Sequence, residues 1–186
     1  PLKVPSGVQV MLRDEFQRVA LASQPEAMSA PGEPHDTAIQ LFTSGTTGKP
    51  KAAVLRHQNL MSYLLGTGEF GGAAEEDAIL IAVPPYHIAG ISAVLSSTYS
   101  CRRMVQLPNF DAATWLQLCR DEKVTNAFVV PTMLSRIVDH LQQERGAGSV
   151  PSLRAVAYGG GKMPLAVIEE AMRLFPGVDF TNAYGL

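Results

Sequence analysis

Cysteine is scarce in this chain: Cys101 and Cys119 are its only 2, and neither has the paired spacing of a zinc site or a redox motif. No disulfide framework follows, and the expectation is two buried thiols in a reducing compartment. Net charge is small as well, since 15 basic against 17 acidic side chains leave −2. With no run of Lys and Arg to offset this locally, a nucleic-acid footprint is excluded and a small-molecule substrate is favoured. No apolar stretch is long enough to span a membrane, and residues 1–10 carry neither a basic leader nor a signal-like apolar run, so the cytoplasm is the expected location.

Apolar residues are plentiful. At 186 residues and 46% hydrophobic composition the chain has ample material for one packed domain or subdomain. The start at Pro1 and the stop at Leu186 read as cuts, so an excised domain is expected.

Periodicity divides the chain into a helix and surface linker over 1–36 and a larger domain over 37–186. The apolar spacing of Met11, Leu12, Phe16, Val19 and Ala20 predicts a helix over 8–22, and the Pro-, Ala- and Ser-rich 23–36 reads as linker. Short strands are expected at 37–42 and 52–55, then a helix over 59–65 ended by Gly66. From Ala78 strands and helices alternate. Strands fall at 78–83, 103–107, 127–130, 153–158 and 178–181, and helices at 88–99, 111–122 with Asp111 as N-cap, 131–143 with Pro131 in the first turn, and 164–175. Continuous apolar runs such as AILIAV and AFVV are what strands show when helices cover both faces. The fold class is therefore α/β, a mostly parallel sheet flanked by helices on both faces.

Ligands of open α/β sheets gather beyond the carboxyl ends of the strands, and three unusual loops fall there. The first is Thr43-Ser44-Gly45-Thr46-Thr47-Gly48-Lys49-Pro50-Lys51, whose glycines, hydroxyls and lysines suit a phosphate cradle. It departs from the Walker pattern in its glycine spacing and in Pro50 after Lys49. A flexible hydroxyl-rich hairpin is the competing reading. The second is Pro84-Pro85-Tyr86-His87-Ile88-Ala89-Gly90, where prolines fix a turn and His87 is placed to meet a carboxylate or flank an acyl chain. A hydrogen-bonded structural histidine competes. The third, Tyr158-Gly159-Gly160-Gly161-Lys162-Met163-Pro164, has backbone bare enough to lie against a flat ring, or is simply a tight strand-to-helix turn. In the final Asn182-Ala183-Tyr184-Gly185-Leu186, Tyr184 is suited to stack on the same ring. His35, His57 and His140 are expected to be solvated or capping, without carboxylate or cysteine partners at ligand spacing. Glu75-Glu76-Asp77 reads as a solvated loop before a strand.

In their order and spacing these segments resemble the adenylate-forming superfamily of acyl- and aryl-CoA ligases, luciferases and nonribosomal adenylation domains. TSGTTGKPK is similar to its phosphate-loop signature, PPYHIAG to its histidine-containing acyl-pocket motif, and YGGGKMP and NAYGL to its adenine-loop and aromatic motifs. The resemblance covers residues 37–186 and implies part of the large N-terminal domain of such an enzyme, most like a fatty or aryl acyl-CoA synthetase. It implies a two-step reaction: a carboxylate attacks the α-phosphate of ATP to give acyl-AMP and pyrophosphate, and CoA or a carrier-protein thiol then displaces AMP.

The resemblance also implies residue roles. Thr43, Ser44, Gly45, Thr46, Thr47, Gly48, Lys49 and Lys51 would hold the phosphates, with Thr46 toward magnesium and Lys51 and His87 nearest the chemistry. Gly159, Gly160, Gly161, Tyr184 and Gly185 would border the nucleotide, and Tyr86, His87, Gly90, Tyr158 and Gly160 the carboxylate substrate. ATP and magnesium are the implied cofactors, CoA the co-substrate, a small fatty or aryl carboxylate the substrate, and a homodimer a conceivable assembly. Ala52, Arg56 and Lys162 depart from the family's usual glycine, threonine and proline, which bears on the substrate pocket. The family's Thr-Glu pair, ribose-binding aspartate, hinge and C-terminal domain with its lysine lie beyond this stretch, so this piece alone is expected to be inactive. The absence of aspartate between Asp77 and Asp111 argues against an amino-acid substrate. A fatty acyl-AMP ligase serving a carrier protein is the nearest alternative, and a noncatalytic nucleotide-binding module or a P-loop hydrolase the more distant ones.

Overall fold

The computed structural model describes residues 6–8, 10–24, 32–43, 51–144 and 150–184. The chain divides into two compact units, 1–33 and 34–186.

The first unit contains helix α1 (Arg13–Ala22), and none of its residues is buried. It begins later than the apolar spacing predicts, with Leu12 extended at its N-cap and no side chain capping it.

The second unit opens with strands β1 (Thr37–Thr43) and β2 (Lys51–Arg56), which pair antiparallel as a sheet of their own. Helix α2 (His57–Thr67) follows, its start held where Asn59 Oδ1 accepts the Arg56 N–H at 2.9 Å. It runs through Gly66, contrary to expectation, and ends one residue later, where Gly68 N–H donates to the Leu64 carbonyl. The chain leaves the helix at Gly68 in an extended conformation (φ −151°), and Gly66 makes no left-handed turn.

The remaining elements alternate: β3 (Ala78–Ile81), α3 (Ile88–Ser100), β4 (Arg103–Gln106), α4 (Ala112–Asp121), β5 (Asn126–Val129), α5 (Pro131–Gln143), β6 (Ala155–Gly159), α6 (Leu165–Leu174) and β7 (Asp179–Ala183). Asp111 caps α4, its Oδ1 accepting from Thr114 N–H at 2.9 Å and Thr114 Oγ1–H at 2.8 Å. Pro131 takes the first turn of α5, where its missing N–H costs nothing.

The five later strands form one parallel sheet in the order β4-β3-β5-β6-β7. The step from β3 to β4 runs one way across the sheet and the step from β4 to β5 runs back. Right-handed crossovers therefore put α3 and α4 on opposite faces. The packing agrees, because alternate strand residues enter different clusters. Leu80, Ala127, Val129 and Val156 pack with Trp115, Leu116, Ile137, Leu141 and Ala171 from α4, α5 and α6. Ile79, Ile81 and Val83 pack with Ala93 of α3. Burying a Leu or Ile side chain stabilises by about 1.5–3 kcal/mol, so the double-sided β3 is the anchor of the sheet.

Two expectations need correcting. Cys119 is buried, and burial pushes its thiol pKa up, but Cys101 is exposed. It follows α3 in the left-handed conformation, φ 61°, a helix-ending turn that faces outward. His140 does have a carboxylate partner: its Nε2 lies 3.3 Å from Glu144 Oε1 one helical turn on, and Glu144 also pairs with Arg120 at 3.2 Å.

Candidate functional site

Because the five strands are parallel, their carboxyl ends lie along one edge of the sheet. The strand order reverses at β3, so the topological switch point lies between the ends of β3 and β5, where ligands of doubly wound sheets gather. The segment after β3 carries Pro84, Pro85, Tyr86 and His87, and Val130 follows β5 directly.

The His87 segment is built tightly. Ala82 and Val83 continue β3 into the core, and His87, extended at the N-cap of α3, donates its backbone N–H to the Pro84 carbonyl at 3.1 Å. Both side chains at the crest stand outward: Tyr86 is 72% exposed, His87 is exposed, and their rings lie 5.0 Å apart at 44°. Gly90 is buried, and a Cβ there would fall 2.4 Å from the Pro84 carbonyl oxygen.

The three consecutive glycines are glycine for different reasons. Gly159 ends β6 opposite Ala183, and a Cβ on it would meet the Ala183 carbonyl oxygen at 2.3 Å. Gly160 has φ 79°, a conformation side chains resist. Gly161 has neither constraint: the nearest atom to an added Cβ is Pro131 Cγ at 3.7 Å, an ordinary contact. Nothing in the chain itself requires glycine at 161, which fits a surface kept bare for a ligand. Lys162 beside it is exposed. Tyr158 is half-buried and its ring packs with the larger core cluster under α4, α5 and α6. Tyr184, just after β7, is 86% exposed.

In the phosphate-loop segment, Thr43 and Lys51 are paired across β1 and β2, which holds the two ends of 44–50 about 4.5–5.5 Å apart. Ser44, Gly45, Thr46, Thr47, Gly48 and Lys49 lie outside the described residues, as does Gly185. The strand leading into this loop belongs to the hairpin rather than the parallel sheet, so the loop does not sit at a carboxyl end of that sheet by topology. The hairpin itself comes near that sheet end: Ile39, Gln40, Leu41 and Phe42 of β1 face Pro85, Tyr86 and Ile91 across a cleft of ≈ 360 Å³. Its β1 wall and Ile91 were not singled out in the sequence. The strand was legible there, but nothing in one chain's pattern says which loop a free-standing hairpin will face.

A second cleft of ≈ 360 Å³ lies at the amino ends of the strands, lined by Glu75, Glu76, Arg103, Lys123, Thr125 and Arg154 among others. Its arginines are engaged, Arg103 with Glu122 at 2.7 Å and Arg154 with Glu76 at 3.2 Å and Asp77 at 3.1 Å. Glu76 is held below the usual carboxylate range by a hydrogen bond from its own backbone and then by Arg154. The acidic run is thus an ion-paired strand entry. Among the described residues no group of His, Cys, Asp and Glu is arranged to hold a metal ion, and no helix is long and apolar enough to cross a membrane.

The fold is that of an α/β protein with a doubly wound parallel sheet, and comparison gives the family. The profile of the AMP-binding enzyme family matches residues 3–186, and the chain belongs to that family. It is 38% identical over 138 residues to the 2-succinylbenzoate–CoA ligase of Bacillus licheniformis, covering 74% of this chain and 28% of that protein. It is 32% identical over 188 residues to the 4-chlorobenzoate–CoA ligase of a Pseudomonas species, covering 98% of this chain and 35% of that protein. Among solved structures it superposes on the O-succinylbenzoate coenzyme A synthetase of Bacillus subtilis, in complex with ATP and magnesium ion, with TM-score 0.68 and 26% identity over 95% of this chain and 38% of that one. The chain thus spans roughly a third of the length of these relatives.

Proposed function

We propose that this chain forms the nucleotide- and acid-facing part of an enzyme that activates a carboxylic acid with ATP and passes the acyl group to CoA. The observation that carries this reading is the convergence on one cleft of the β1 strand that leads into the phosphate-loop sequence and the Pro85-Tyr86 segment that carries His87. An aryl acid is the preferred substrate class, above a fatty one, since both curated relatives cited are named for benzoate-type acids.

In this reading Thr43, Ser44, Thr46, Thr47 and Lys51, with the backbone of the loop, hold the β- and γ-phosphates, and the hairpin pins the ends of that loop. Gly161 offers bare backbone to the adenine, Gly159 and Gly160 shape the turn beside it, and Tyr184 stacks on the ring. His87 borders the carboxylate. Alignment of the acid with the α-phosphate and neutralisation of the charge that develops there are what such a site contributes to an in-line displacement. The hydroxyls of the loop suit magnesium, a hard cation that takes oxygen ligands: Thr46 would face the ion, which when bound supplies charge neutralisation to the phosphates. A cytoplasmic location, a carrier protein as alternative acceptor and a homodimer are expectations that accompany this reading.

The test is carboxylate-dependent exchange of pyrophosphate into ATP by the full-length protein, across 2-succinylbenzoate, 4-chlorobenzoate, benzoate and a fatty-acid series, with thioester formation on CoA followed by mass spectrometry. Exchange with aryl acids above fatty acids is expected. No exchange with any acid, in a protein that binds ATP, overturns the activity; a fatty acid as best substrate overturns the aryl preference.

A further inference from the structure

We infer that Gly90 is a positioning residue, acting on the acid-facing edge of the cleft through His87, and not a residue that itself meets substrate. The inference rests on the proposed function for its catalytic consequence and on packing alone for its geometry.

One carbonyl does two things in this segment. The Pro84 oxygen accepts the His87 N–H at 3.1 Å, closing the turn that presents Tyr86 and His87. The same oxygen lies where the first turn of α3 comes closest, with room only for a hydrogen: a Cβ on Gly90 would stand 2.4 Å from it, 3.0 Å from the Pro84 carbonyl carbon and 3.2 Å from Pro85 Cα. All three are backbone atoms, so no side chain can rotate away to make space. The prolines deepen the constraint, because their fixed φ leaves the segment few ways to yield. The helix cannot back off either: Ile91 N–H donates to the His87 carbonyl at 3.1 Å, and Ala93 is buried against Ile79, Ile81 and Val83. Any substituent at 90 therefore moves the Pro84-Pro85 segment, loosens the His87 N–H bond and shifts the His87 and Tyr86 rings. Pro85, Tyr86 and Ile91 wall the cleft against β1, and in the proposed function the His87 side of that cleft borders the acid, so the shift is expected in the acid kinetics.

The test uses the full-length protein and compares Gly90→Ala with Gly66→Ala, whose added methyl meets nothing within 4 Å. In Gly90→Ala, kcat/KM for the acid should fall by up to about 10²-fold, the scale of an ångström's misplacement in an aligned site, with the KM for ATP unchanged. Gly66→Ala should leave both unchanged. The decisive step is a double-mutant cycle with His87→Ala: if Gly90 acts through His87, adding Gly90→Ala to His87→Ala costs little more, whereas independent effects multiply. Multiplying effects overturn the inference, as does a Gly90→Ala enzyme of wild-type acid kinetics.

Hydrogen exchange at the His87 amide gives a second arm that needs no activity. It should quicken in Gly90→Ala and not in Gly66→Ala, and unchanged exchange overturns the inference. An inactive wild-type protein would remove the proposed function, and the exchange arm alone then decides the geometry. Where Gly90→Ala does not fold, Pro85→Ala, which leaves the backbone atoms facing Gly90 in place but frees the φ of the segment that carries them, replaces it in the cycle with the same expected non-additivity.

Discussion

The two edges of the parallel sheet are built from opposite materials. At the amino edge the polar groups are used on one another. Thr125, 2% exposed, accepts the Ala78 N–H at 3.0 Å and lies within reach of the Ala78 carbonyl, the Asp77 carboxylate and Asn126. Asp77 meets Arg154, and the Arg154 carbonyl takes the Asp179 N–H at 2.8 Å, so a chain of bonds crosses from β3 to β7. At the carboxyl edge the loops carry prolines, glycines, an exposed His87, an exposed Tyr86 and an exposed Tyr184. Both edges have a cleft of the same volume. Volume does not separate them; the amino-edge cleft is lined by charges, among them the ion-paired Arg103, Arg154 and Glu76, and the carboxyl-edge cleft by apolar and uncharged side chains.

The comparison breaks most readily at Lys51. Replacing it with alanine in the full-length protein should weaken ATP binding by about 1.5–3 kcal/mol, the value of a charge-assisted hydrogen bond. Calorimetric titration with ATP measures this, and unchanged affinity would move the phosphates away from the hairpin. Next is the amino edge: Thr125→Val should destabilise by about 1–3 kcal/mol through unsatisfied buried backbone groups, read by urea unfolding, while acid and ATP kinetics stay at wild type. Altered kinetics there would mean that the amino edge is not purely structural.

Arg154→Ala should cost less than Thr125→Val in the same urea unfolding, because its pair with Glu76 is in water, although Asp77 is only 16% exposed. The smallest effect is on pH dependence. Glu76 has an ordinary pKa of 4.5 and a lower one when folded. Its contribution is therefore complete above 4.5 and is lost as pH falls through the folded value. Glu76→Gln should make thermal stability less steep below pH 4.5 and leave it parallel to wild type above that. A steeper acid limb in the variant would reverse the sign and refute the assignment.

Much of the fold was legible because its signals are local. Helix α5 (Pro131–Gln143) matched its expected limits, since proline marks the first turn and the apolar spacing runs unbroken. Asp111 capped α4 as its side chain suggested. Local signals also misled. Gly66 looked like a stop but lies within α2, and Cys101 was taken for a core residue yet sits outside on a turn. In both cases the deciding fact is where the following turn is made, which composition does not encode. The candidate site was legible as separate segments: the Pro84–Gly90 and Tyr158–Pro164 loops do leave carboxyl ends of the parallel sheet. Its wall on β1 was not, and neither was the reason for Gly90.

By itself the sequence determined the alternation of strand and helix and the α/β class. It also determined the chemistry available: a hydroxyl- and lysine-rich loop, a proline-braced histidine and a run of glycines. Periods, caps and turn residues act over a few positions, so one chain is enough to read them. Only the tertiary structure decided that β1 and β2 stand apart from the parallel sheet, that their hairpin faces the His87 segment, and that Glu76 and Asp77 are answered by Arg154. Those outcomes depend on contacts between residues far apart in sequence, where the energy of packing and the partner that satisfies each polar group are settled only once the whole chain has folded.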